Sequence, residues 1–152
     1  MFTLLALGLS YLESLIPPLT SVPGIKIGLA NLAIVFVLYR LGTKSAAIVS
    51  LMRVFIAFFL FGSVLSLAYS FSGALFSITV MAIMKKSGKF SEIGVSVAGA
   101  IMHNIAQILV ALLIFSVTEI LLYLPVLMIS AVISGIFIGV AGAVTVRRIK
   151  MR

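Results

Sequence analysis

The chain has 152 residues, of which 63% are hydrophobic and 9% are charged, and its mean hydropathy is +1.38. A soluble domain carries about 25% charged residues, so this composition excludes a soluble protein and indicates an integral membrane protein. The net charge of +8 does not indicate nucleic-acid binding, because the basic residues stand in short clusters between apolar runs. The absence of cysteine excludes disulfides and thiolate metal sites.

The apolar runs predict a polytopic all-α protein with six transmembrane helices in one compact bundle. A span needs about 20 apolar residues, so six spans leave about 30 residues for connections. The opening segment lacks a basic leader and is interpreted as a retained span, not a signal peptide. The predicted spans cover residues 2–16, 25–41, 45–61, 64–84, 93–117 and 125–146.

The connection between the first two spans is rich in proline. Pro17, Pro18 and Pro23 fix φ and remove backbone donors. The segment 17–24 is therefore predicted to be stiff and extended.

The distribution of basic residues predicts the orientation. Nine of the eleven Lys and Arg residues follow spans two and four or lie at the C-terminus. Cytoplasmic connections of membrane proteins carry an excess of Lys and Arg. We therefore predict that both termini are cytoplasmic and that the protein lies in the cell membrane.

Small residues recur every four positions on three of the spans. In span six they are Ala131, Gly135, Gly139 and Ala143. Spacing of four keeps small residues on one helix face and lets two backbones approach closely. We expect these stripes to serve mainly in internal helix packing.

Polar residues inside the predicted spans are the candidate binding residues, because such groups are costly in hydrocarbon. Arg53 lies about eight residues into span three and His103 about ten residues into span five, so both lie near the midplane. Gln107 is one turn beyond His103 on the same face. The predicted cavity opens outward and holds a solute. The predicted binding residues are Lys26, Asn31, Arg53, Tyr69, Ser70, His103, Asn104 and Gln107.

Two interpretations of these residues stay open. The guanidinium of Arg53 is always charged and would attract an anionic group. Alternatively, Arg53 pairs with Glu13 or extends toward the membrane surface, while His103 and the amides tie helices together. Tyr69 is equally explained as an anchor at the membrane interface.

Residues for phosphate chemistry are missing from the sequence. It contains no aspartate and three separated glutamates, whereas magnesium requires oxygen ligands close together. Phe90 follows Gly88-Lys89 where a phosphate loop has Ser or Thr. We expect no enzymatic activity, no metal and no cofactor.

Four blocks of the sequence resemble the Gx transporter family, which is also described as heptaprenyl diphosphate synthase component I. The more specific motifs are Lys-x-Gly-Leu-Ala-Asn at 26–31 and His-Asn-x-x-Gln at 103–107. The other blocks begin at Arg53 and Tyr69, and the resemblance spans nearly the whole chain. Members resemble the S components of energy-coupling factor transporters, which are small six-helix solute-binding proteins without their own ATPase.

This resemblance implies a substrate-binding subunit that captures a vitamin-like or anionic solute. It further implies a transmembrane partner component and two ATPases, with docking through small residues on the first helix, here Ala6 and Ser10. The loop after that helix would cover the substrate. The alternatives are a non-catalytic membrane subunit that assists an isoprenoid, heptaprenyl diphosphate or quinone-linked enzyme, and a structural subunit without a ligand.

Overall fold

The computed structural model of the chain describes residues 2–15, 28–116 and 118–148, and these ranges contain helices and no strand. A 3₁₀ turn over Thr118–Tyr123 precedes the last helix. Each predicted span corresponds to one helix, so the predicted all-α fold is confirmed. The helices are α1 (Phe2–Leu15), α2 (Leu29–Arg40), α3 (Thr43–Phe61), α4 (Val64–Ser87), α5 (Glu92–Phe115) and α6 (Leu124–Arg148).

The two largest differences from the predicted helix boundaries, at the start of α2 and the end of α4, have identifiable reasons. Helix α2 begins at Leu29 rather than at residue 25, because Gly28 adopts a left-handed conformation with φ of 80°. Helix α4 continues past residue 84 to Ser87. Lys85 and Lys86 in its last turn favour this extension by interacting with the helix dipole. It then stops at Gly88, where φ is 68°.

The helices differ in length and burial. Helices α3 to α6 are long and apolar enough to cross a membrane, whereas α1 and α2 are shorter apolar helices. The 12 residues of α2 extend roughly 18 Å, against about 30 Å of hydrocarbon in a bilayer. All residues of α2 from Ala33 to Leu38 are buried. Helix α2 is therefore a short central helix enclosed by its neighbours.

The stripe of small residues on α6 packs against α5. A Cβ atom added to Gly135 would lie 2.7 Å from Cα of Val97, and one added to Gly139 would lie 2.7 Å from Cα of Ile93. Such separations leave no room for a side chain at either glycine. The prediction that this stripe serves in internal helix packing is confirmed.

Side chains at one end of the bundle bind helix carbonyls. Lys85 Nζ donates to the carbonyl of Leu38 and lies 5.3 Å from the centre of the Tyr39 ring. Arg40 donates to the carbonyl of Val146. These contacts bring together the C-terminal ends of α2, α4 and α6, which we call the basic end. Its described basic residues are Arg40, Lys44, Lys85, Lys86, Lys89, Arg147 and Arg148.

We predict that Gly135→Ala destabilises the bundle by about 1–3 kcal/mol, because the new methyl group overlaps backbone atoms of α5 that cannot move aside locally. Unfolding of the purified protein in detergent, followed by circular dichroism, measures the effect. The matched control is Gly8→Ala, because a Cβ at this helical position meets nothing within 4 Å. An equal loss of stability in both variants would contradict the packing role of the stripe.

Candidate ligand-binding site

A cavity of about 320 Å³ lies at the end of the bundle opposite the basic end, and all six helices contribute to its lining. This volume is at the lower end of the range of about 300–1,000 Å³ found for small-molecule sites. The lining combines apolar side chains with many polar ones. The polar lining residues are Ser10, Glu13, Asn31, Arg53, Ser66, Ser70, His103, Asn104, Gln107 and Ser134.

The structure brings most of the predicted binding residues together. Those lining the cavity are Asn31, Arg53, Ser70, His103, Asn104 and Gln107. Tyr69 is half-buried and does not line it, because neighbouring residues of a helix point in directions about 100° apart and Ser70 takes the cavity side. Lys26 and the proline-rich segment 17–24 lie outside the described residues.

Arg53 carries the positive charge of the described lining. Its Nη1 donates to Oγ of Ser10 at 2.9 Å. Its Nε is buried and has no hydrogen-bond partner among the described residues. An unpaired buried donor is costly, and here it belongs to a group that lines a cavity large enough for a small molecule. Because Arg53 lines this cavity, its guanidinium can offer a charged donor to a ligand acceptor.

Glu13 enters the cavity from α1, although sequence reasoning did not include it in the site. Its Oε1 accepts a hydrogen bond from the backbone N–H of Gly28, the residue that precedes α2. A carboxylate is favourable there because the N-terminus of a helix carries partial positive charge. The two residues are 15 positions apart across a long connection, so no local sequence pattern indicates this contact.

The polar group on α5 lines the cavity and also joins helices. The ring of His103 lies against Gly73 of α4, where an added Cβ would be 2.6 Å from the ring Cε1. Nδ2 of Asn104 donates to the carbonyl of Leu127 on α6 at 2.9 Å. His103 and Asn104 therefore line the cavity and also connect helices, so both interpretations describe where they lie.

The positions of Ala6 and Ser10 do not favour the docking role that the resemblance implied. Ala6 has no exposed surface, and Ser10 faces the cavity and binds Arg53. A spacing of four places them on one face of α1, and that face is turned into the bundle. The opposite face exposes leucines, among them Leu4 and Leu12.

A family model described as heptaprenyl diphosphate synthase component I matches residues 2–145. The match covers all helices except the last residues of α6, and it includes every described residue of the cavity lining. No curated protein and no solved structure matches the chain.

We predict that Gly73→Ala displaces the ring of His103, because a methyl group at this position overlaps three ring atoms. The chain has one histidine, so selective ¹⁵N-histidine labelling gives an NMR signal from this ring alone. We expect both ring nitrogen shifts to change in the Gly73→Ala variant and to stay unchanged in the Gly8→Ala control. Unchanged shifts in Gly73→Ala would show that the ring does not lie against α4.

Proposed function

The chain belongs to the heptaprenyl diphosphate synthase component I family, and we propose that it acts as a solute-binding membrane subunit, similar to an S component. The observation that carries this proposal is the placement of Arg53. Ionisable residues within membrane spans are costly and usually face a functional cavity. Arg53 does so, with one buried nitrogen left without a partner among the described residues. Polar side chains from five other helices surround the same space.

The proposed role in transport includes an orientation and a partner. We propose that the chain crosses the cell membrane six times, once at each of α1 to α6, with both termini and the basic end in the cytoplasm. The excess of Lys and Arg at the basic end supports this orientation. The cavity then opens to the outside and captures its solute there. Since the sequence has no phosphate loop, we propose that a separate transmembrane component with two ATPases supplies the energy for uptake.

The proposed subunit is not itself an enzyme, despite the description of its family. Diphosphate chemistry with magnesium requires clustered carboxylates, and the sequence contains three glutamates and no aspartate. Glu13 lines the cavity, whereas Glu92 begins α5 near the basic end. The wide separation of these two carboxylates supports a binding role for the cavity over a catalytic one.

A second candidate function follows from the description of the family. In it, the chain is a non-catalytic membrane subunit that assists a soluble isoprenoid or quinone-linked synthase. This function requires a stable complex with such an enzyme and assigns no solute to the cavity. Co-purification with a soluble synthase, and a cavity that binds no small molecule, would favour it.

We predict that Arg53→Gln lowers the retention of a bound solute by roughly tenfold or more, which corresponds to about 1.4 kcal/mol. The physical reason is the loss of a charged donor from the cavity wall. Native mass spectrometry of the gently purified protein measures the bound fraction and any bound partner together. Gln107→Ala, which removes an amide from the same wall, is expected to weaken retention as well.

The control for Arg53→Gln is Arg148→Gln, which removes the same charge at the basic end. It should keep the solute fully bound. Circular dichroism and size-exclusion chromatography verify that each variant stays folded and monodisperse. Equal retention by the native protein, Arg53→Gln and Gln107→Ala would exclude this cavity as the solute site.

A further inference from the structure

The cavity contains a negative charge as well as a positive one. Glu13 and Arg53 both belong to its lining, and they are its charged side chains among the described residues. The sequence indicated a vitamin-like or anionic solute, with Arg53 as the residue that would attract an anionic group. A carboxylate in the same small space changes which ligands the site can accept.

The two charges are held by different neutral partners. Arg53 donates to the hydroxyl of Ser10, and Glu13 accepts from the backbone N–H of Gly28. Ser10 and Glu13 are three residues apart on α1, so they are neighbours on one helix face, with Cβ atoms about 5–6 Å apart. The guanidinium and the carboxylate therefore approach the cavity side by side, within the length of a small molecule.

A ligand that carries only negative charge would place its charge beside Glu13 as well as beside Arg53. At separations of a few ångströms, repulsion from the carboxylate disfavours such a ligand. A ligand that carries only positive charge would be repelled by the guanidinium of Arg53. A molecule with both groups offers an acceptor to Arg53 and a donor to Glu13, which both line the cavity.

We propose that the ligand is a small zwitterion. Its anionic group accepts hydrogen bonds from Arg53, and its cationic N–H group donates to Glu13. The volume of about 320 Å³ suits a molecule of amino-acid to vitamin size. This inference rests on the proposed solute-binding function and narrows the class of solute from vitamin-like or anionic to zwitterionic.

The test uses the full chain in detergent, labelled with ¹⁵N-histidine so that His103 reports on the cavity. The probes are the 2-amino acids and ω-amino acids of two to six carbons, each compared with the carboxylate and the alkylamine of the same carbon skeleton. Titrations at constant pH give a Kd from the saturable shift of the His103 signals. We expect at least one amino acid to bind roughly tenfold or more tightly than its matching carboxylate and amine.

The decisive variant is Glu13→Gln, which removes the charge and leaves an amide oxygen able to accept from Gly28. It should weaken binding of the amino acid and leave binding of the carboxylate equal or stronger. The matched control, Glu92→Gln, removes a carboxylate near the basic end and should leave every Kd unchanged.

The outcomes separate this inference from the function on which it rests. If the carboxylates bind as tightly as their amino acids, or if Glu13→Gln weakens both equally, the ligand is not selected as a zwitterion and solute binding itself stands. If no probe gives a saturable shift but native mass spectrometry finds a retained solute without both charges, the inference is overturned and solute binding stands. If no probe binds and no solute is retained, the solute-binding function is overturned, and the inference falls with it.

Discussion

The arrangement of this protein depends on a short helix in a membrane-type bundle. Backbone polar groups in hydrocarbon must be satisfied within the protein, and α2, with 12 residues, covers only part of a bilayer thickness. Both of its ends receive a charged side chain from another helix. Glu13 accepts from Gly28 at the start of α2, and Lys85 donates to the carbonyl of Leu38 near its end. Between these contacts, Ala33 to Leu38 form the buried centre around which the other helices are arranged.

The N-terminal end of this central helix borders the cavity. Gly28 and Asn31, at the start of α2, form part of its wall, and residues of α1 and of the longer helices α3 to α6 supply the rest. Arg53 can face this space because the space is polar, and the polar lining in turn requires a charged or polar occupant. The polar lining therefore explains why a charged side chain is tolerated at this depth.

Hydropathy and depth along the helices were sufficient to predict six helices and to select most of the polar cavity wall. Arg53, His103 and Gln107 were identified because a strongly polar residue in a long apolar run usually faces the interior of the bundle or a cavity. Contacts between segments that are far apart in the sequence could not be predicted. The apolar run that includes Gly28 conceals the late start of α2, and the bond from Gly28 to Glu13 joins residues 15 positions apart, which no local pattern indicates. The spacing of Ala6 and Ser10 defines a face of α1 but not the direction in which that face points.

Because that face points into the bundle, α1 takes part in positioning both charged side chains of the cavity. Through Ser10 it holds the guanidinium of Arg53 on α3, and through Glu13 it holds the first backbone N–H before α2. Its other face exposes Leu4 and Leu12 to the surroundings of the bundle. A displacement of α1 away from α2 and α3 would therefore break both polar contacts at once and separate the two charges of the cavity. Because the charges act on a ligand only when they are close together, the position of α1 determines whether the cavity has the charge pattern of a binding site.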